Sequence, residues 1–308
     1  MIFIKIFIIR IYLKLIKTDY SVFLFYDIIF EDTINIGVIS SMKMIVFDLD
    51  GTLLRSNKTI SDRSRLYLKD LKEQGYVTVI ATGRMHESMR DVVKDFEFVD
   101  YIITDAGATC YDASDSKIVF SNSIDFEIAK KLEQYYSERC EYIDICTKEK
   151  VYTYTKNKRK PSDYYIEVES NWNSIFEKCS DINHISIAMI ENEYVKDVYK
   201  DLKNQFLDLN IFIMQDSFSN KQWIEISKKG VSKYNAISKL ADILNIDNEN
   251  IIAFGDGLND LDMIKNCGVG VALKNALPEV KELADYVTKY DHDNDGVIEF
   301  LKEYLNNE

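Results

Sequence analysis

The sequence predicts an α/β protein: a doubly wound parallel sheet interrupted by an inserted α+β domain. Three observations carry that prediction. Short, wholly apolar runs recur at 44–47, 77–81, 101–104, 251–254 and 269–273, with helical patterns at 62–74, 86–96, 232–244, 259–266 and 278–284. Continuous apolar strands between helices are what a parallel sheet covered on both faces requires. Between 122 and 222 the texture changes to strands that alternate apolar and polar residues, at 141–147, 150–155, 184–190 and 211–215. Alternation marks sheet with one wet face, and two helical segments at 125–138 and 193–207 accompany it. Finally, three of the apolar runs end in polar, glycine-bearing loops.

Taken in order, residues 1–41 stand apart. The stretch MIFIKIFIIRIYLKLIK is apolar but interrupted by Lys5, Arg10, Lys14 and Lys17, and no uncharged run reaches spanning length. It is expected to lie outside the working fold, with no stable membrane insertion; a membrane-surface helix and a signal segment are the competing readings. Residues 42–121 and 223–308 then form the core and 122–222 the insert. The chain has 308 residues, 46% of them apolar, which suffices for a large buried core. A net charge of −13 argues against a nucleic-acid partner. Five cysteines without CxxC spacing fit a reducing, cytoplasmic setting better than disulfides or zinc.

The loops at the strand ends hold the chemistry. The first run closes in Asp48-Leu49-Asp50-Gly51-Thr52, the second in Thr82-Gly83-Arg84 and the fourth in Gly255-Asp256-Gly257-Leu258-Asn259-Asp260. Ligands of open α/β sheets bind at the carboxyl ends of the strands, so these loops are expected to converge. Each alone reads equally well as turn chemistry; together they make an all-oxygen cluster of the kind that holds magnesium. Lys233 opens a helix and would bring a positive charge to a phosphate. Metal, lysine and backbone donors around a carboxylate are the equipment of phosphoryl transfer, with the carboxylate as nucleophile.

The segments FDLDGTLL, ATGR, GVSK and FGDGLNDLDMI, in that order, resemble the four motifs of the haloacid dehalogenase superfamily of phosphatases. The inserted domain is similar to that of its Cof-type, subclass IIB branch. The resemblance spans about residues 43–306 and implies a role for each matching position. Asp48 would be the nucleophile and a ligand of Mg²⁺. Asp50 would protonate the leaving alcohol, then activate water, its backbone carbonyl reaching the metal. Asp256 would be the third protein ligand, with Asp260 orienting the metal's waters or Lys233, and Thr52 shaping the first loop. Thr82, Gly83, Lys233, Asn259 and the backbone of Leu49 would hold the phosphoryl group. Two departures stand out: Ala106-Gly107 where relatives have Asn-Gly, and Tyr234 where Gly is usual.

The expected function is hydrolysis of small phosphorylated metabolites, sugar phosphates or similar, through an aspartyl-phosphate, by a monomer or small homo-oligomer. A phosphomutase or phosphotransferase, and a non-enzymatic phospho-receiver, are the alternatives. Two further features carry bland readings. DHDNDG at 291–296 lacks the twelfth-position glutamate of a calcium loop and reads as the turn that starts the last helix. The basic run at 155–160 reads as a solvated loop.

Overall fold

The computed structural model describes residues 43–306, apart from 94–95, 137–139, 148–149, 156–165, 170–171, 179–180, 190 and 216–221. Residues 1–41 and the basic run from residue 156 onward therefore lie outside the described residues.

The chain opens with β1 (Met44–Phe47), α1 (Asp62–Glu73), β2 (Val77–Ala81), α2 (His86–Val93) and β3 (Tyr101–Thr104). A hairpin of β4 (Thr109–Asp112) and β5 (Ile118–Ser121) follows. The middle of the chain supplies α3 (Phe126–Tyr136), β6 (Cys140–Thr147), β7 (Val151–Thr155), β8 (Ile166–Glu169), α4 (Trp172–Lys178) and β9 (Ile182–Met189). It continues through α5 (Glu193–Gln205), β10 (Leu209–Gln215) and β11 (Gln222–Lys228). The last part holds α6 (Lys233–Leu244), β12 (Ile251–Gly255), α7 (Leu261–Asn266), β13 (Val269–Ala272), α8 (Pro278–Leu283), β14 (Tyr286–Val287) and α9 (Gly296–Leu305).

The first sheet runs in the order β14-β13-β12-β1-β2-β3-β4-β5. All pairs from β14 to β3 are parallel, as the apolar runs predict, and β4 and β5 add antiparallel strands beyond β3. Alternate residues of β1 enter different cores. Ile45 and Phe47 pack with Leu68 and Leu71 of α1 and Leu301 of α9. Met44 and Val46 pack with Ile237 and Leu240 of α6 and Met263 of α7. Both faces of the strand are covered, which is why it reads as uninterrupted apolar sequence. Ser61 caps α1 by accepting from the Ser64 amide at 2.9 Å, and Ser232 caps α6 by accepting from Asn235 at 3.2 Å.

The second sheet, β10-β11-β9-β6-β7-β8, is antiparallel except for the parallel pair β7–β8. Ile143, Ile145, Ile185, Ile187, Ile224 and Ile226 face helices α3, α4 and α5. The cross-strand row Thr153, Asp144, Ser186 and Glu225 lies on the opposite face. Trp172 is buried and stacks on Tyr154 with ring centroids 4.8 Å apart. One boundary needs correction. The insert was expected to end at 222, but β11 pairs with both β9 and β10, so the second sheet continues to Lys228. The alternation of Trp223, Glu225 and Ser227 with Ile224 and Ile226 carried that signal.

The DHDNDG turn is fully engaged in structure. Asp293 accepts from the Ser56 amide and hydroxyl, Asp295 pairs with Arg55 at 3.0 Å, and Asp291 caps the turn through the Asn294 amide. It starts α9, as the missing glutamate implied.

Candidate active site

The carboxyl ends of β1, β2 and β12 meet. Asp48, Asp50, Thr82, Gly83, Arg84, Asp256, Gly257, Asn259 and Asp260 line a single cavity. Every expected side-chain position except Lys233 and Thr52 is thus on its wall, and those two sit behind it. Lys233 Nζ donates to Asp48 Oδ1 and Asp260 Oδ1, each at 2.6 Å, and is 1% exposed. Thr52 Oγ1 donates to Asp256 Oδ1 at 2.7 Å.

Local sequence explains how each group arrives. Asp48 follows the last apolar residue of β1, and its amide donates to the Phe254 carbonyl of β12 at 2.9 Å, fixing the nucleophile candidate against the neighbouring strand. Gly51 adopts φ +84°, and a Cβ placed there would stand 2.4 Å from Asp256 Oδ2. Only glycine accepts both the left-handed backbone and the close carboxylate. Gly51→Ala is therefore expected to cut activity by about 10²-fold through displacement of Asp256; steady-state kinetics beside a circular dichroism spectrum matching the wild type would check it. The Arg84 amide donates to Thr82 Oγ1 at 3.1 Å, folding the loop after β2 back on itself. Asp260 Oδ2 accepts from the amides of Asp256 and Gly257, both at 2.9 Å, which holds the loop after β12 in shape.

Charge is concentrated here. Burial raises the Asp48 carboxyl from its ordinary 3.8 to about 7; Lys233 pulls it down, while Asp260 and Asp256 push it up. Burial also raises Asp256, against the hydrogen bond from Thr52. For Lys233 burial opposes the charge, but Asp48 and Asp260 outweigh it and raise the ammonium above its usual range. Asp50 behaves differently: burial would raise it, yet Arg84 and Lys58 hold its carboxyl low. Arg84 clasps both its oxygens, with Nε at 2.5 Å and Nη2 at 2.6 Å, and Lys58 donates at 2.7 Å.

Asp48, Asp256 and Asp260 each offer an oxygen within 4.8 Å of the others. Three acidic groups this close, offset by one lysine, fit a hard divalent cation such as Mg²⁺. The Asp50 carboxylate is not in that group, being held by Arg84 and Lys58, so its expected place at the metal rests on its backbone carbonyl. Sequence reading missed Lys58, which carries no motif. It also missed the contacts that Asp105 makes.

The same components occur together in known proteins. The sequence matches the family model of haloacid dehalogenase-like hydrolases over residues 45–301. The chain belongs to the haloacid dehalogenase-like hydrolases. MG265 of Mycoplasma genitalium is 30% identical over 280 residues, covering 86% of this chain and 99% of its own. The 5-amino-6-(5-phospho-D-ribitylamino)uracil phosphatase YcsE of Bacillus subtilis is 28% identical, covering 86% of this chain and 96% of its own. A haloacid dehalogenase-like hydrolase from Bacteroides thetaiotaomicron superposes with a TM-score of 0.72 at 27% identity, over 85% of this chain and 99% of that one. Within its family the protein is a phosphatase, acting on phosphorylated substrates.

Proposed function

We propose that the protein is a magnesium-dependent phosphomonoesterase of small phosphorylated metabolites, working through an aspartyl-phosphate on Asp48. What supports the reading above all is the meeting of Asp48, Lys233, Asp256 and Asp260 at the end of one sheet. Asp48, Asp256 and the Asp50 carbonyl would hold Mg²⁺, which when bound neutralises charge on the phosphoryl oxygens. Thr82, Gly83, Asn259, Lys233 and the Leu49 backbone orient the phosphoryl group so that its ester oxygen points away from Asp48. An Asp48 oxygen forms a bond to phosphorus as the ester P–O bond breaks. Asp50 gives its proton to the departing alkoxide, then takes one from the water that attacks phosphorus and releases phosphate, regenerating Asp48. For the first of these steps Asp50 must exchange Arg84 and Lys58 for the leaving group, since that pairing keeps it ionised. Asp260 keeps Lys233 aimed at Asp48 throughout.

The second sheet, inserted between β5 and α6, serves in this reading as a cap that excludes bulk water and selects the leaving group. The reading places the protein in the cytoplasm; the four described cysteines, Cys110, Cys140, Cys146 and Cys267, are all buried. Among the described residues no helix is long and apolar enough to cross a membrane.

The test is phosphate release from p-nitrophenyl phosphate. Activity with Mg²⁺ that disappears in EDTA and returns with added metal is expected. Equal hydrolysis with and without metal would defeat the proposal. A panel of sugar phosphates, headed by the compound for which YcsE is named, then addresses the substrate.

A further inference from the structure

Asp105 directly follows β3 and opens a turn with a backbone that few residues adopt. Its φ is +51° and that of Ala106 is +52°, so two consecutive residues that are neither Gly nor Asn sit in the left-handed region. Something must hold them there, and the side chain of Asp105 supplies it. This carboxyl is 5% exposed. Its Oδ2 accepts from Asn183 Nδ2 at 3.0 Å and from Thr104 Oγ1 at 2.9 Å, and its Oδ1 faces His184 Nδ1 at 3.3 Å.

Asn183 and His184 belong to the second sheet. Cys146 pairs with His184 and Thr147 with Ile182, so Asn183 is the extra residue of a bulge in β9. Bulges re-aim side chains, and this one brings two successive side chains onto one carboxylate of the other sheet. Asn183 is fully buried and also accepts from Thr109 Oγ1 at 3.2 Å. Burial pushes the His184 pKa down, while its neighbours Cys146, Asp105 and Glu225 push it up.

The turn so held touches the site twice. The Asp105 amide donates to the Arg84 carbonyl at 2.9 Å and the Ala106 amide to the Thr82 carbonyl at 3.0 Å, so the turn carries the backbone of the loop after β2. Gly107, at φ +112°, packs so closely that a Cβ would lie 2.2 Å from the Ser232 carbonyl oxygen. Ser232 caps the helix that begins with Lys233.

We infer that Asp105 is a positioning residue for catalysis, the joint through which Asn183 and His184 of the inserted sheet fix both the Thr82-Gly83 loop and the start of the Lys233 helix. The inference rests on the phosphatase reading of the site. It assigns the work of this turn to a carboxylate one position before the Ala106 that departs from the family's Asn.

The experiment compares Asp105→Ala, Asp105→Asn, Asn183→Ala and the Asp105→Ala/Asn183→Ala pair, using p-nitrophenyl phosphate and β-glycerophosphate with saturating Mg²⁺. Turnover is expressed per folded molecule, the folded fraction being read from thermal melts. Asp105→Ala and Asn183→Ala are each expected to lower kcat by about 10- to 100-fold, because small misplacements of a reacting group cost that much. The loss should be the same on both esters, and the double variant should be no worse than the poorer single one. Asp105→Asn, which still accepts from Asn183, should retain most of the activity. If Asp105→Ala does not fold, Asp105→Asn and Asn183→Ala carry the comparison, the former near wild type and the latter impaired on both esters.

Melting temperatures that fall while kcat per folded molecule stays within twofold of wild type would reduce Asp105 to a structural residue and overturn the inference. A loss confined to one ester would overturn it in favour of a leaving-group contact, and multiplicative losses in the double variant would deny that the two residues act as one. Wild-type protein inactive on both esters would instead sink the phosphatase reading, a distinct outcome.

Discussion

Asp48→Asn is expected to abolish turnover while leaving the fold intact. The amide cannot attack phosphorus, so kcat for p-nitrophenyl phosphate should fall by about 10³-fold or more. At neutral pH the variant should be no less stable than the wild type, because burial raises the Asp48 carboxyl to about 7 and so makes its ionisation unfavourable in the fold. The pH dependence gives a second readout in metal-free buffer. The folded-state pKa of about 7 lies above the ordinary 3.8, so the folded protein binds more protons than the unfolded chain between those values. The stability contributed by protonated Asp48 is thus fully present below about pH 4 and lost as the pH rises through 7. Urea midpoints of wild type minus variant, measured from pH 4 to 8, should decline over that window. A flat difference would show that burial does not perturb Asp48, and a Tm raised by Mg²⁺ equally in both proteins would show that the carboxylate is no ligand.

Lys233→Met should be the most damaging single change to stability. It replaces a fully buried ammonium lying between two carboxylates at 2.6 Å with a side chain of similar length and no charge. Removing one partner of a buried pair costs about 3–5 kcal/mol, since the orphaned charge stays behind. Activity should vanish as well. Adding Asp260→Asn to Lys233→Met should restore part of the stability, because one orphan is then neutral. A chemical denaturation series settles this: a double variant less stable than Lys233→Met would mean that the Asp260 bonds to the Asp256 and Gly257 amides dominate over its charge.

How much of this was legible in the sequence depends on whether the relevant signal was local. Five of the six parallel strands announced themselves because both faces of each are covered, leaving no polar positions to confuse the pattern; β14, two exposed residues long, did not. The strand-end loops were legible for a related reason: paired aspartates and glycines directly after a buried run have no packing role to play. β4 and β5 were missed because TCYD and IVFS are four-residue strands too short for either period to register. Their pairing with β3 is a tertiary fact. The pairing of Asp50 with Lys58 and Arg84, and the grip of Asn183 and His184 on Asp105, join residues whose spacing follows no motif. Such contacts exist only once both sheets are in place.

The order of strands in the first sheet has a consequence during synthesis. β1 occupies the middle, between β2 and β12, yet about 200 residues separate it from β12 in the chain. On the ribosome the half-made sheet must wait about 10–40 s, at ordinary translation rates, with one side of an apolar parallel strand bare. The inserted sheet has its own apolar centre and emerges during that wait. A nascent polypeptide of this kind is a natural client for chaperones, and expression at lowered temperature should enlarge its native yield.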